Sequence, residues 1–211
     1  MPQDSTPTGI VHIVDDDESV RVGLDILFRS VGYQTRGYSS ADEFLNSTQG
    51  SSPGCIVLDV RLPGISGLDF QDQLSGLGIQ LPVILITGHG DIPMTVRAMK
   101  AGAVDFLPKP FREQDILDAV AAAIDRDCRR RTVDTETSHV RDRFATLSPR
   151  ERQVMSLVTT GKMNKQVAAD LGLSVITVKI HRGAAMRKMG ARSLADLVRM
   201  ADTLKANVLP G

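Results

Sequence analysis

The first 126 residues alternate short apolar segments with amphipathic ones, and this alternation constrains the fold more than any other feature of the chain. The apolar segments have the length of buried strands. The segments between them space their apolar side chains as one face of a helix does. Strands that alternate with helices favour a parallel sheet covered on both faces. The sequence therefore predicts an α/β, doubly wound, five-stranded parallel sheet, with strands near residues 10–14, 33–38, 55–58, 83–86 and 105–108.

Carboxylates follow two of these predicted strands directly. Asp15 and Asp16 come after the first strand, and Asp59 comes after the third. The carboxyl ends of parallel strands meet at one edge of the sheet, so we expect these side chains to share a crevice. Clustered carboxylates repel one another unless a cation joins them. The pattern predicts a hard divalent ion, which is Mg²⁺ or, as a substitute, Mn²⁺.

Phosphoryl transfer is a chemistry that would use these carboxylates. Asp59 is the candidate nucleophile, because a carboxylate can attack phosphorus and hold an acyl phosphate. We expect Asp16 and Asp59 to hold the metal ion directly and Asp15 to act through water. The backbone carbonyl of Arg61, two residues past the nucleophile, is expected to complete the protein ligands.

Two further strand ends carry groups that suit a phosphoryl oxygen. Thr87 ends the fourth predicted strand and offers a hydroxyl, and Lys109 follows the fifth and offers an ammonium. Taken singly, Thr87 is an ordinary strand-end residue and Lys109 an ordinary surface lysine. The prediction depends on their combination with the carboxylates.

The overall charge of zero conceals two halves of opposite sign. Residues 1–128 carry 18 acidic and 9 basic side chains, whereas residues 129–211 carry 7 acidic and 16 basic ones. This split favours a cation-requiring module and a module for a polyanion; the alternative is that both are simply solvated surfaces. We expect domains at 1–126 and 146–211, joined by a helical or flexible linker at 127–145, where the helix continues and then loosens.

The remaining composition favours a cytoplasmic protein. The sequence has no apolar run long enough to span a membrane, and its first residues lack the basic and apolar parts of a secretory signal. Cys55 and Cys128 suit a reducing compartment, and Cys55 falls within a predicted core strand.

Capping signals in the basic half predict a series of helices. Ser148 and Glu151 form a capping box at the start of the first. A second helix, near 164–171, is expected to break at Gly172, and Ser174 to cap a third. Helix, glycine turn and helix make a helix-turn-helix, whose second helix enters the major groove of DNA. A fourth apolar stripe follows, so we expect an all-α, four-helix domain.

Four motifs of the acidic half occur together in a known family. They are Asp15-Asp16, Leu58–Gly64, Thr87–Gly90 and Lys109–Phe111. With them, residues 8–126 resemble the flavodoxin-like receiver domain of bacterial two-component response regulators. The resemblance implies that a histidine kinase phosphorylates Asp59, that Mg²⁺ is required and that the Lys109–Pro110 bond is cis. It also implies a switch, in which the hydroxyl of Thr87 turns toward the phosphoryl group and Phe106 moves inward behind it.

Three motifs of the basic half point to a second family. Leu147–Arg152, Asn164–Ala168 and Thr177–Arg182 look like the DNA-binding domain of LuxR/NarL-type regulators, and the whole chain resembles the FixJ subfamily. The resemblance implies binding to double-stranded promoter DNA, with Lys179 at a base edge. Gly183 stands where relatives can carry a longer side chain, so one potential base contact is missing. The other implied DNA contacts are Thr177, His181, Arg182 and Lys165.

The sequence thus predicts a phosphorylation-activated transcription factor rather than an enzyme, with at most self-phosphorylation and self-dephosphorylation. Its receivers are expected to form a homodimer on phosphorylation, with RNA polymerase as a further candidate partner. Two alternatives stay open. An aspartyl-phosphate phosphatase generally needs a second carboxylate two residues after its nucleophile, where Arg61 stands. An interaction module would dimerise without ever being phosphorylated.

Overall fold

A computed structural model describes residues 9–47 and 52–206, and the chain divides into two compact units, Met1–Arg131 and Thr132–Gly211. Helices and strands alternate through the first unit, and helices follow in the second. The elements of the described residues are, in chain order, β1 (Ile10–Val14), α1 (Glu18–Ser30), β2 (Gln34–Tyr38), α2 (Ala41–Asn46), β3 (Gly54–Asp59), α3 (Gly67–Leu74), β4 (Val83–Thr87), α4 (Ile92–Lys100), β5 (Asp105–Pro108), α5 (Glu113–Ala145), α6 (Pro149–Val158), α7 (Asn164–Leu171), α8 (Val175–Met189) and α9 (Leu194–Ala206).

The strands form one parallel sheet in the order β2-β1-β3-β4-β5. Asp59 is in register with Ile86, and Thr87 with Pro108, so the carboxyl ends of β3, β4 and β5 lie level. The predicted doubly wound, five-stranded fold is confirmed. The Lys109–Pro110 peptide bond is cis, as the resemblance implied.

Apolar clusters cover both faces of this sheet. Along β3, Cys55 and Val57 belong to one cluster, and Ile56 and Leu58 belong to the other. Successive side chains of a strand point to opposite faces, so a strand buried on both faces is apolar at nearly every position. This explains why β3 and β4 appear in the sequence as apolar runs, whereas the buried strand β1 contains one polar residue, His12.

The predicted linker is helical along its whole length, because α5 continues to Ala145. The expectation that this stretch loosens is therefore wrong. Asp127 accounts for part of the difference: it is fully buried, and it accepts hydrogen bonds from the backbone N–H of Gly54 and from the side chains of Arg130 and Arg131. These contacts attach this part of α5 to the start of β3.

The second unit has the predicted capping signals in place. Ser148 accepts a hydrogen bond from the Glu151 backbone, and the Glu151 carboxylate accepts one from the Ser148 backbone. Gly172 ends α7 in the left-handed conformation, with φ of 64°, which glycine adopts without steric cost. Side chains of α6 to α9 fill its core, together with Val140 and Phe144 of α5. None of the helices in the described part of the chain combines the length and the apolar character needed to cross a membrane.

One buried histidine should make the stability of the first unit sensitive to acid. His12 lies on β1 with its Nδ1 3.0 Å from the hydroxyl of Tyr38, and burial, helped by the charge of Arg36, lowers the pKa of His12 from 6.5 to about 4. Below about pH 6.5 the imidazole of His12 therefore binds a proton in the unfolded chain but stays neutral in the folded protein. The folded state has its full stability above pH 6.5 and becomes less stable as the pH falls toward 4.

We expect this residue to lower the free energy of unfolding by about 2 kcal/mol between pH 7.5 and pH 5. Urea unfolding of the wild type and of His12→Asn at both pH values measures the difference. A variant that keeps the full pH dependence of the wild type would contradict the assignment to His12.

Candidate functional site

The carboxyl edge of the sheet brings the predicted acidic residues together. Asp15 and Asp16 follow β1, and Asp59 is the last residue of β3. One carboxylate oxygen from each of the three lies within 4.8 Å of the others. Asp15 and Asp59 are buried, whereas Asp16 is exposed and opens the cluster to solvent.

Lys109 places a positive charge against this cluster. Its Nζ lies 2.6 Å from Oδ2 of Asp15 and 3.1 Å from Oδ1 of Asp59. Burial raises the pKa of Asp59 above its ordinary value, and the hydrogen bond and charge of Lys109 offset only part of that rise. Burial also opposes the charge of Lys109, but its bonds to Asp15 and Asp59 outweigh this and raise the pKa of the lysine. Lys109 is therefore a fixed cation beside the candidate nucleophile.

The loop after β3 holds Asp59 through backbone contacts. The N–H of Arg61 donates to Oδ2 of Asp59 at 2.9 Å, and the N–H of Gly67 donates to the carbonyl of Val60 at 2.8 Å. A Cβ at Gly67 would lie 2.2 Å from the carbonyl oxygen of Asp59, so only glycine allows the loop to return this closely. Asp59 thus has one oxygen bound to the loop and the other directed at Lys109.

The chemistry of this donor set fits a hard divalent cation. All three side chains offer carboxylate oxygens, which are the ligands that Mg²⁺ and Ca²⁺ prefer over nitrogen or sulfur. A cation among them would also reduce the repulsion between the three carboxylates. It would offset the cost of burying the charge of Asp59 as well. The predicted convergence of Asp15, Asp16 and Asp59 is therefore present, and a metal ion bound by them stays a prediction.

Thr87, the last residue of β4, lies close to the ring of Phe106 on β5. Thr87 is fully buried, and its hydroxyl oxygen accepts a hydrogen bond from the His89 backbone N–H at 3.2 Å and lies 3.3 Å from the His89 carbonyl. Phe106 is buried in the same cluster as Leu58. A Cβ at Gly90 would lie 2.9 Å from the Phe106 ring and 3.2 Å from the Thr87 methyl, so the three residues are in close proximity.

In the second unit, the predicted DNA contacts differ in their exposure. Lys165 on α7 and Lys179 on α8 are exposed. His181 and Arg182 are half-buried, and the Arg182 guanidinium donates to the side-chain oxygen of Asn164 at 3.2 Å. Thr177 is also half-buried, with its hydroxyl 2.8 Å from that of Ser174, the residue that caps α8.

Sequence reasoning did not single out the two most exposed large apolar side chains of α8. These are Ile176 and Ile180, on either side of the buried Val178. The helical period, counted from the core residue Val178, points to them, because a residue two positions away lies about 200° around the helix.

Known proteins resemble the chain over both units. Residues 11–121 match the response regulator receiver domain, and residues 145–201 match the luxR family of bacterial regulatory proteins. Nodulation protein W of Bradyrhizobium diazoefficiens is 59% identical over 201 residues, which cover 95% of this chain and 88% of that protein. The transcriptional regulatory protein FixJ of Azorhizobium caulinodans is 46% identical, with coverage of 95% and 94%. The solved structure of the response regulator StyR has a TM-score of 0.83 and 46% identity, and it covers 92% of this chain and 98% of its own.

Proposed function

Since the chain belongs to the response regulators that join a receiver domain to a LuxR-type DNA-binding domain, we propose that phosphorylation of Asp59 switches its binding to promoter DNA. The chain is a transcriptional regulator whose partners are a histidine kinase and DNA. The observation that carries the proposal is the convergence of Asp15, Asp16, Asp59 and Lys109 at one edge of the sheet. In this proposal the receiver comprises residues 1–126, the linker 127–145 and the DNA-binding domain 146–211.

Asp59 is the phosphoacceptor of this proposal. A carboxylate oxygen of Asp59 attacks the phosphorus of a phosphohistidine on the kinase, and the P–N bond breaks as the new O–P bond forms. The histidine nitrogen leaves with the electron pair of the broken bond, and Asp59 becomes an acyl phosphate. A small donor such as acetyl phosphate can supply the same group, and attack by water returns the free carboxylate and inorganic phosphate. Self-phosphorylation and self-dephosphorylation are the extent of the proposed enzymatic activity.

The residues around Asp59 have separate roles in that transfer. Asp16 and Asp59 would hold Mg²⁺, with Asp15 acting through water and the carbonyl of Arg61 completing the ligands. When bound, the ion neutralises charge on the phosphoryl oxygens. Lys109, already 3.1 Å from Asp59, donates to another of these oxygens.

The proposed switch begins at Thr87. Its hydroxyl exchanges its contacts with His89 for a hydrogen bond to the phosphoryl group, and Phe106 moves inward behind it. Two receivers then pair through the face formed by α4, β5 and α5. Exposed apolar side chains on α4 support this choice of face: Ile92, Val96 and Met99.

Dimerisation presents two copies of α8 to one DNA duplex. Lys179 donates to a base edge, and Lys165 contacts a phosphate at the turn of the helix-turn-helix. Thr177, His181 and Arg182 are further candidate contacts, although Arg182 would first leave Asn164. RNA polymerase is the further partner of a regulator bound at a promoter. A regulator that must reach chromosomal DNA works in the cytoplasm, and the buried thiol of Cys55, which forms no disulfide, agrees with that compartment.

The proposal is tested on the full chain with acetyl phosphate and Mg²⁺. Size-exclusion chromatography should show a larger species when both are present, and binding to duplexes selected from a random pool should tighten. A chain that takes up phosphate without any change in size or DNA affinity would contradict the switch.

Replacing Lys165 should weaken binding to every duplex by a similar factor. If the Lys165 ammonium contacts a phosphate, binding of the Lys165→Ala variant releases about one counterion fewer from the DNA. The slope of log affinity against log salt concentration should therefore become shallower by about 1. Titrations at several salt concentrations measure the slope. Lys205→Ala, which removes an exposed lysine of α9 that pairs with Asp202, is the control and should keep the wild-type slope. Equal slopes for the wild type, Lys165→Ala and Lys205→Ala would mean that Lys165 does not contact a DNA phosphate.

A further inference from the structure

Helix α8 has one side buried in the core and one side exposed to solvent. Val178, Ala185 and Met189 lie in the core of the second unit. Ile176 and Ile180 flank Val178 in sequence, and a step of two residues turns about 200° around a helix. The two isoleucines therefore point away from the core, and they are 71% and 63% exposed.

Neither helix formation nor core packing explains two exposed isoleucines one turn apart. A β-branched side chain loses rotamer freedom in a helix, so these positions favour other residues on propensity alone. The surroundings of the pair are basic, with Lys179 and Arg187 exposed on the same helix. A partner that fits must combine a negative surface with small apolar groups set between the charges.

Double-stranded DNA has that combination in its major groove. Phosphates line both edges of the groove, and the apolar group that a base presents there is the C5-methyl of thymine. In helix-turn-helix proteins the N-terminal part of the second helix contacts the bases, and Ile176 and Ile180 lie in the N-terminal half of α8.

We infer that Ile176 and Ile180 recognise thymine methyl groups, so that each half-site bound by this protein has thymines opposite α8. The inference rests on the proposed function and adds the base chemistry that the DNA-binding site selects. Gly183, the next residue on this side, is consistent with close approach of the helix to the groove. A Cβ there would meet only the Arg187 guanidinium, at an ordinary contact distance of 3.6 Å, so the fold itself does not require glycine.

Deoxyuridine provides the test, because it differs from thymidine only by the absent methyl. The full chain, treated with acetyl phosphate and Mg²⁺, selects duplexes from a random pool, and each thymine of the selected half-site is then replaced by deoxyuridine in turn. Burial of a methyl group predicts about a fourfold loss of affinity for each thymine that is read this way. Ile180→Ala should bind equally well with thymine or deoxyuridine at the position that Ile180 contacts, and Ile176→Ala should do so at the position that Ile176 contacts. This loss of sensitivity is the pattern of a double-mutant cycle.

Ile26→Ala is the matched control, since Ile26 on α1 is 64% exposed and lies outside the DNA-binding unit. This variant should keep the full sensitivity to deoxyuridine. Salt-dependent binding that is insensitive to deoxyuridine at every position would overturn the inference and leave the proposed function intact. A deoxyuridine effect that survives in both isoleucine variants would overturn it as well. If no duplex binds in a salt-dependent manner, the proposed function fails and the inference fails with it.

Discussion

Asp59→Asn is expected to abolish phosphoryl uptake and, with it, the rise in DNA affinity that acetyl phosphate and Mg²⁺ produce. An amide is a far weaker nucleophile than a carboxylate, and it supplies one neutral oxygen where the metal ion would have had an anionic one. Incorporation of labelled phosphate should fall to background, and the affinity for DNA should be the same with and without the donor. Wild type treated with EDTA should behave like the variant.

Loss of folding does not explain such a result, because the substitution should not destabilise the protein. Burial raises the pKa of Asp59, so its ionised form is less favourable in the folded state than in the unfolded chain, and a neutral side chain removes that penalty. Urea unfolding at pH 7 should give a free energy no lower than that of the wild type. Asp42→Asn, at an exposed position of α2, serves as the control and should keep the response to the donor. A full response in Asp59→Asn would place the phosphoryl group elsewhere. A wild type that does not respond to the donor would instead favour a module that dimerises without phosphorylation.

The convergence of the site was predictable because it depends on topology alone. Asp59, Thr87 and Lys109 each follow an apolar run, and a parallel sheet collects the ends of such runs at one edge whatever the loops do. The residue types supported the prediction of a metal ion, since three neighbouring carboxylates favour a countercharge.

The contacts that hold the site could not be predicted in the same way. The bond from Arg61 to Asp59 and the return of Gly67 to the Asp59 carbonyl depend on the path of one loop, and residue patterns do not specify that path. In α8, motif matching led to His181 and Arg182 because of their chemistry, although both are half-buried. The side of a helix that faces outward follows from its phase relative to a core residue, which is a geometric argument and not a compositional one.

Asp127 shows most directly what composition misses. The stretch around it is rich in arginine, and such stretches are commonly solvated linkers. Here the carboxylate is fully buried and accepts hydrogen bonds from the backbone of Gly54 at 3.1 Å, from Arg130 at 2.6 Å and from Arg131 at 2.6 Å. Two arginines that suggested an exposed linker are thus the partners that make burial of this aspartate feasible.

Asp127→Ala should therefore destabilise the first unit by about 4 kcal/mol, since removing one partner of a buried ion pair typically costs about 3–5 kcal/mol. The backbone N–H of Gly54 loses its acceptor, and the guanidinium groups of Arg130 and Arg131, with side chains 32% and 29% exposed, lose their shared carboxylate. Urea unfolding, followed by a probe of the first unit, measures the change.

Asp125→Ala is the matched control, because Asp125 lies on the same helix and also pairs with an arginine four residues later. That pair is exposed, with side-chain accessibilities of 56% for Asp125 and 79% for Arg129, so its loss should change the stability by less than about 1 kcal/mol. The contrast between two aspartates of one helix separates burial from sequence context. If the two substitutions change the stability equally, the Asp127 contacts do not stabilise the first unit. This stretch would then contribute no more to stability than a solvated linker does, although its backbone is helical.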